Sequence, residues 1–217
     1  MKTNRMNVRY MVILAMFVAL MLVLQITGIG LIPLPLIKAT TMHIPVILGA
    51  IVMGPTAGGI LGGVFGLCSI WTNTTTPSAL SFAFSPVLAN EIGGFGSALA
   101  SVWTALCCRI LLGVAAGWLW KLLKKWSTND YLALPVTAGI STIFHSLLVM
   151  GSIGLLFDQQ FAEAKGIAVD VVLKVAMGVV GTSGVPEAIA AILLVTAVGK
   201  PLLLFAAKVG RQITGRK

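Results

Sequence analysis

The stretch YMVILAMFVALMLVLQI, Tyr10–Ile26, decides the class of this protein. No charged side chain interrupts it, and its length is close to the roughly 20 apolar residues that one bilayer crossing takes as helix. It follows a polar, basic segment, Met1–Arg9. Such a run behind positive charge is also the pattern of a signal peptide. No small-x-small cleavage pattern follows, however, and further hydrophobic runs do, so it reads as a retained first helix.

The rest of the chain agrees. Of 217 residues, 58% are hydrophobic and 10% charged, and the mean hydropathy is +1.01. A soluble domain carries about 25% charged residues, so lipid must be the solvent for much of this surface. The sequence predicts one transmembrane domain over 1–217, with no room for a further soluble one. The net charge of +9 does not point to nucleic acid, because Lys and Arg cluster between apolar runs, as in basic membrane loops. Cys68, Cys107 and Cys108 lie inside apolar runs without metal-type spacing. They read as small buried side chains, and no metal or cofactor is expected.

The hydrophobic pattern predicts an all-α integral membrane protein, a six-helix transmembrane bundle with long outer loops. Helix 2 is expected over His43–Met53, broken by Gly54-Pro55, and helix 3 over Thr56–Trp71. Helix 4 is expected over Gly96–Leu123, helix 5 over Tyr131–Phe157, and helix 6 over Ser183–Lys208 with a bend near Pro201. The outer loops are then Gly28–Met42, Thr72–Phe95 and Asp158–Thr182. Gly54, Gly58, Gly62 and Gly66 form one stripe along a helix, where another backbone can approach closely; tight static packing is the plainer reading, a sliding face the functional one. Lys2, Arg5, Arg9, Lys121, Lys124, Lys125, Lys200, Lys208, Arg211, Arg216 and Lys217 fall on one side of such a bundle, against Lys38, Lys165 and Lys174 on the other. The positive-inside rule then puts the N and C termini in the cytoplasm.

Ionisable groups inside membrane helices are costly and are functional candidates by default. Here they are Glu91, Arg109, His145 and Glu187, with Asn90 beside Glu91 and Asn73 in the polar run Thr72–Thr76. Most fall in the outer half of the bundle, where a small polar ligand can enter from outside. Arg109 suits a carboxylate or phosphate; its plainer role is an internal contact fixing helix 4. Glu187 can accept ligand hydroxyl or amide protons, or instead serve the helix start at Ser183-Gly184-Val185-Pro186. His145 is a ligand donor or a satisfied packing histidine. Asn73 and Asn90 either close over a ligand or are turn residues. Asn73-Thr74-Thr75 also matches the short glycosylation sequon. Lys38, Thr40, Thr41 and His43, at the entry to helix 2, form a gating loop or a snorkelling rim.

No G-x-x-x-x-G-K-[ST] motif is present, so this chain has no ordinary ATP cradle. Gly181-Thr182-Ser183-Gly184 matches the nucleophile setting of an intramembrane serine hydrolase, with His145 as the internal base. In rhomboid-type enzymes, however, the serine precedes the histidine in the chain.

Four segments together resemble the S-components, the substrate-binding membrane subunits, of energy-coupling factor (ECF) vitamin transporters, over nearly the whole chain. They are Ala15-Met16-Phe17-Val18-Ala19, an A-x-x-x-A element; Lys38-Ala39-Thr40-Thr41-Met42-His43-Ile44-Pro45-Val46-Ile47-Leu48-Gly49-Ala50 before Gly54-Pro55; Arg109-Ile110-Leu111-Leu112-Gly113-Val114-Ala115-Ala116-Gly117; and Gly184-Val185-Pro186-Glu187-Ala188. The segment Lys38–Ala50 resembles the pantothenate-type branch. Ser183 departs from the Asn of many relatives. The resemblance implies high-affinity binding of a water-soluble vitamin, pantothenate first, with riboflavin or a pyrimidine precursor as alternatives. It implies a non-enzymatic subunit in the bacterial plasma membrane that topples to carry its ligand inward. The implied partners are a transmembrane coupling protein, met through Ala15 and Ala19, and two cytoplasmic ATPase subunits that hydrolyse ATP.

Overall fold

The computed structural model describes residues 8–28, 31–33, 38–126 and 129–214. The basic residues Lys2, Arg5, Arg216 and Lys217 lie outside them, as do the side chains of Arg9, Lys38, Thr40, Lys208 and Arg211. The apolar run at the start folds as α1, Val8–Thr27. A short antiparallel hairpin follows, β1 (Leu31–Pro33) pairing with β2 (Lys38–Thr40) in the register Leu31↔Thr40. The first expected loop thus carries a strand pair, a small departure from an all-α chain.

Helix α2, His43–Met53, is almost wholly buried. Gly54 ends it at φ 94°, a left-handed value that disfavours any side chain, and Pro55 occupies the first position of α3, Pro55–Thr75. A proline there lacks only an N–H that would be unsatisfied anyway. Helix α3 runs on through the threonines expected to be loop. Their hydroxyls donate back to carbonyls one turn earlier, Thr72 to Cys68 at 3.0 Å, Thr74 to Ile70 at 2.8 Å and Thr75 to Trp71 at 2.9 Å. A polar side chain that satisfies itself on the helix backbone needs no loop.

The remainder of the expected Thr72–Phe95 loop is also largely helical. A 3-10 turn at Ser81–Ala83 leads to α4, Pro86–Val102, which Ser85 caps by accepting from Leu88 N–H. Gly93 and Gly94 break α4, Gly94 at φ 68°. A π turn over Trp103–Cys107 joins it to α5, Cys108–Trp126. Helix α6, Asp130–Leu156, continues through Pro135. The expected Asp158–Thr182 loop instead holds α7 (Asp158–Lys165), a 3-10 turn at Val169–Val171, α8 (Val172–Val179) and another π turn, Val180–Gly184. Helix α9, Val185–Thr214, passes through Pro201 without ending. The second and third of the expected loops are therefore mostly helical.

Four segments of the described chain are long and apolar enough to cross a membrane: Tyr10–Thr27, Pro86–Trp126, Asp130–Leu156 and Val169–Phe205. Large apolar side chains such as Met16, Trp71, Phe95, Trp118 and Leu193 lie exposed around the bundle. In water this would be an aggregation liability; in a bilayer it is the lipid-facing surface.

Two buried clusters fill the interior. One gathers Met21, Ile47, Leu61, Leu112 and Leu134 between α1, α2, α3, α5, α6 and α9. The other gathers Leu80, Met150, Ile153, Phe157 and Phe161 from the 3-10 turn, α6 and α7. The glycine stripe joins α3 to α5. A methyl on Gly58 would stand 2.7 Å from the Gly113 carbonyl carbon, on Gly62 2.9 Å from Ile110 Cα, on Gly66 2.8 Å from Ala105 O, and on Gly117 2.6 Å from Pro55 Cα. The two backbones are in direct contact, with no room for a Cβ between them, which is the static packing reading of the stripe.

This predicts a contrast within one helix. Gly62→Ala should destabilise the bundle by about 1–3 kcal/mol through overpacking. Gly63→Ala, whose methyl meets only the Ile110 side chain at 3.9 Å, should be neutral or stabilising by up to about 1 kcal/mol. Thermal unfolding of the two variants in detergent measures the difference; equal midpoints would contradict the packing.

Candidate functional site

A cavity of about 130 Å³ lies where the two clusters meet. That is far more than the roughly 10–15 Å³ one water occupies on the same measure. Met42, Phe65, Leu80, Met150 and Ile153 give its wall apolar surface, and His43, Arg109, His145, Ser183 and Glu187 bring polar groups to it. An apolar cavity with few convergent polar groups is the usual form of a small-molecule site.

Arg109 dominates the polar wall. It is 6% exposed, and its position follows from the π turn that precedes it. A π turn interrupts the i→i+4 hydrogen-bond ladder and frees carbonyls. Arg109 Nη1 reaches back to two of these, donating to Thr104 O at 3.0 Å and Ala105 O at 2.8 Å. The guanidinium carbon lies 4.8 Å from the centroid of Phe65 and 5.0 Å from that of Phe84. The Ala105 carbonyl also abuts Gly66 of α3, so the helix contact also fixes the arginine. Arg109 Nε is buried with no partner among the described residues.

His145, on α6, stacks at a tilt 6.1 Å from Phe65, and its Nδ1 is likewise buried and unpartnered among the described residues. Glu187 stands in the first turn of α9, just after the π turn Val180–Gly184. It lines the cavity and acts electrostatically on Arg109. His43 is buried at the start of α2 and lines the cavity. Thr41 is half-buried just before it. Lys38 and Thr40 belong to β2, with side chains outside the described residues.

Asn73 also borders the cavity, but its polar atoms are used within the chain. Its Nδ2 donates to Ser69 O at 2.8 Å, and its Oδ1 accepts from Ser81 Oγ at 2.7 Å. Ser81 in turn accepts from Ser78 N at 2.8 Å, and the Thr74 and Ser85 hydroxyls share a hydrogen bond of 2.8 Å. These bonds hold the segment Ser78–Ser85 in place, and its Ser78, Leu80 and Phe84 line the cavity. Asn90 and Glu91 lie exposed on α4, away from the cavity wall. Ala15 and Ala19 are exposed on α1.

The structure adds Phe65, Phe84, Gln25 and Ser146 to the wall. Gln25 had a signal in the sequence, as a polar residue closing an otherwise apolar run, and it bonds Thr72 Oγ1 across to α3. The two phenylalanines had none. Ser183 and His145 share the cavity, and no hydrogen bond joins them among the described residues. Among the described residues no group of three or more His, Cys, Asp or Glu is placed to hold a metal.

Comparison with known proteins gives this cavity a context. The family described as ECF transporter, substrate-specific component, matches residues 9–199. A pantothenic acid transporter, PanT, of Lactococcus lactis subsp. cremoris is 33% identical over 190 residues, covering 86% of this chain and 89% of that protein. A pantothenate transporter, PanT, of Leuconostoc mesenteroides subsp. mesenteroides is 27% identical over 213 residues, covering 93% of this chain and 96% of that protein. A multi-pass membrane chain with a cavity of small-molecule size, matched by this family over most of its length, belongs to the substrate-specific components of ECF transporters.

Proposed function

We propose that this chain binds pantothenate from outside the cell and delivers it across the plasma membrane as the S-component of an ATP-driven ECF importer. The observation that carries the reading is the cavity at Arg109, in a chain that aligns over 86% of its length with a pantothenic acid transporter. Pantothenate bears one carboxylate, two hydroxyls and an amide. Arg109, His145 and Glu187 supply a cation, a ring nitrogen and an acceptor. Asn73 shapes the wall by holding the Ser78–Ser85 cover, and His43 and Thr41 lie at its entry. Asn90 and Glu91, exposed on α4, belong to the outer approach, and Lys38 and Thr40 to the gating loop.

In this reading the chain crosses the bilayer six times with both termini cytoplasmic. The α5–α6 connection supports that orientation. Lys121 lies over Trp118 at 5.5 Å, and Lys124 pairs with Asp130 at 2.7 Å. Lysine with tryptophan at a helix end marks the membrane interface, and lysine excess marks its cytoplasmic side. The exposed Ala15 and Ala19 give α1 a flat stripe four residues apart, suited to close contact with a helix of the coupling protein. ATP hydrolysis belongs to two partner ATPase subunits, and toppling of the whole bundle carries the ligand inward.

Calorimetric titration of the purified chain in detergent should give saturable binding of pantothenate and none of riboflavin or a pyrimidine precursor. A different vitamin binding tightly would replace the ligand assignment. Ser183→Ala should retain pantothenate binding, whereas loss of a hydrolytic turnover in that variant would favour the enzyme reading. Replacing Ala15 and Ala19 together by tryptophan should abolish co-purification with the coupling protein and vesicle uptake, with pantothenate affinity of the isolated chain unchanged. Uptake that survives both changes would remove this face from the interface.

A further inference from the structure

We infer that Arg109 is the carboxylate anchor of the cavity, that it meets its ligand with the Nε edge of the guanidinium, and that this edge makes the site select an acid over its neutral analogues. The inference rests on the pantothenate reading for its ligand.

A guanidinium has two faces and an in-plane fringe of five N–H donors. Phe65 and Phe84 lie within 4.8 and 5.0 Å of the guanidinium carbon, and Nη1 is taken by the Thr104 and Ala105 carbonyls. Of the donors that Nη1 does not account for, the in-plane Nε–H is buried and has no partner among the described residues. A buried cation needs an anion or a full set of acceptors. Two carbonyls and two aromatic rings provide part of that, and Glu187 adds its field, but none of these gives Nε an acceptor. The cavity borders the arginine, so the missing acceptor comes from what fills it. An arginine edge takes a carboxylate side-on through parallel N–H···O bonds.

The side chain is also held before the ligand arrives. Stacking and the two carbonyl bonds restrict its long, flexible stem, so little ordering remains when the acid binds. Glu187, in the same wall, sets the other limit. Its carboxylate opposes a further negative charge but can accept from a hydroxyl. The cavity therefore suits one carboxylate at the Arg109 end of a molecule that carries hydroxyls elsewhere.

The test is a comparison of affinities on the intact chain: pantothenate, its analogue with a primary alcohol in place of the carboxylate, and the corresponding carboxamide. Wild type should prefer the acid by about 100-fold or more, as a site that leaves a buried charge unpaired rejects the neutral analogue. Equal affinity for acid and alcohol would overturn the anchor while leaving pantothenate uptake standing. Failure of pantothenate itself to bind a folded sample would remove both. Arg109→Gln should bring the acid-to-alcohol ratio near one. Phe84→Leu, which keeps the arginine and removes one stacked ring, should weaken the acid more than the alcohol. Ratios unchanged from wild type in both variants would also overturn the anchor.

Discussion

The backbone contact between α3 and α5 is the constraint on which the rest depends. Two helices that touch through Gly58, Gly62, Gly66, Gly113 and Gly117 cannot slide or rotate without carbonyls colliding. In lipid, helix association draws on van der Waals packing rather than on hydrophobic burial between helices, so this contact is also a main source of cohesion. It sets the depth and rotation of Arg109, whose own carbonyl lies against Gly62, and of Ala105, whose carbonyl lies against Gly66. The cavity is built outward from that seam.

The π turn at Trp103–Cys107 converts this packing into a site. It shifts the helix register by one residue just before Arg109 and leaves Thr104 and Ala105 carbonyls for the guanidinium. Another π turn, Val180–Gly184, precedes Glu187. The two charged groups of the cavity wall thus each follow a local departure from α geometry, a frequent feature of functional helices. The cover over the cavity uses another device. Asn73, Ser78, Ser81, Thr74 and Ser85 bond to one another and pin a short 3-10 segment across the opening. The segment is held by a few hydrogen bonds, each worth about 1 kcal/mol net.

Much of this was legible in the sequence because apolar runs, glycine spacing and the Gly54-Pro55 break each report a backbone constraint. Helix α2 was predicted with its observed ends, and the glycine stripe was read as close packing. Among the candidate residues, Arg109, His145, Glu187, Asn73 and His43 converge on the cavity, since an ionisable group inside an apolar helix needs a special environment. The Thr72–Thr75 run misled because threonine can satisfy its hydroxyl on the preceding turn, which composition does not reveal. Asn90 and Glu91 lie in a stretch expected to be loop; as α4 forms, they face outward. The π turns and the placing of Phe65 and Phe84 against Arg109 have no signature at the level of residue pattern, because they arise from how neighbouring segments fit.

The most direct test of this account is a structure of the chain with pantothenate bound. The account predicts ligand density in the cavity between the two buried clusters, with a carboxylate oxygen in hydrogen-bond contact with Arg109 Nε and the Ser78–Ser85 segment closed above it. Ligand bound elsewhere, or bound in the cavity with its carboxylate turned away from Arg109, would contradict it.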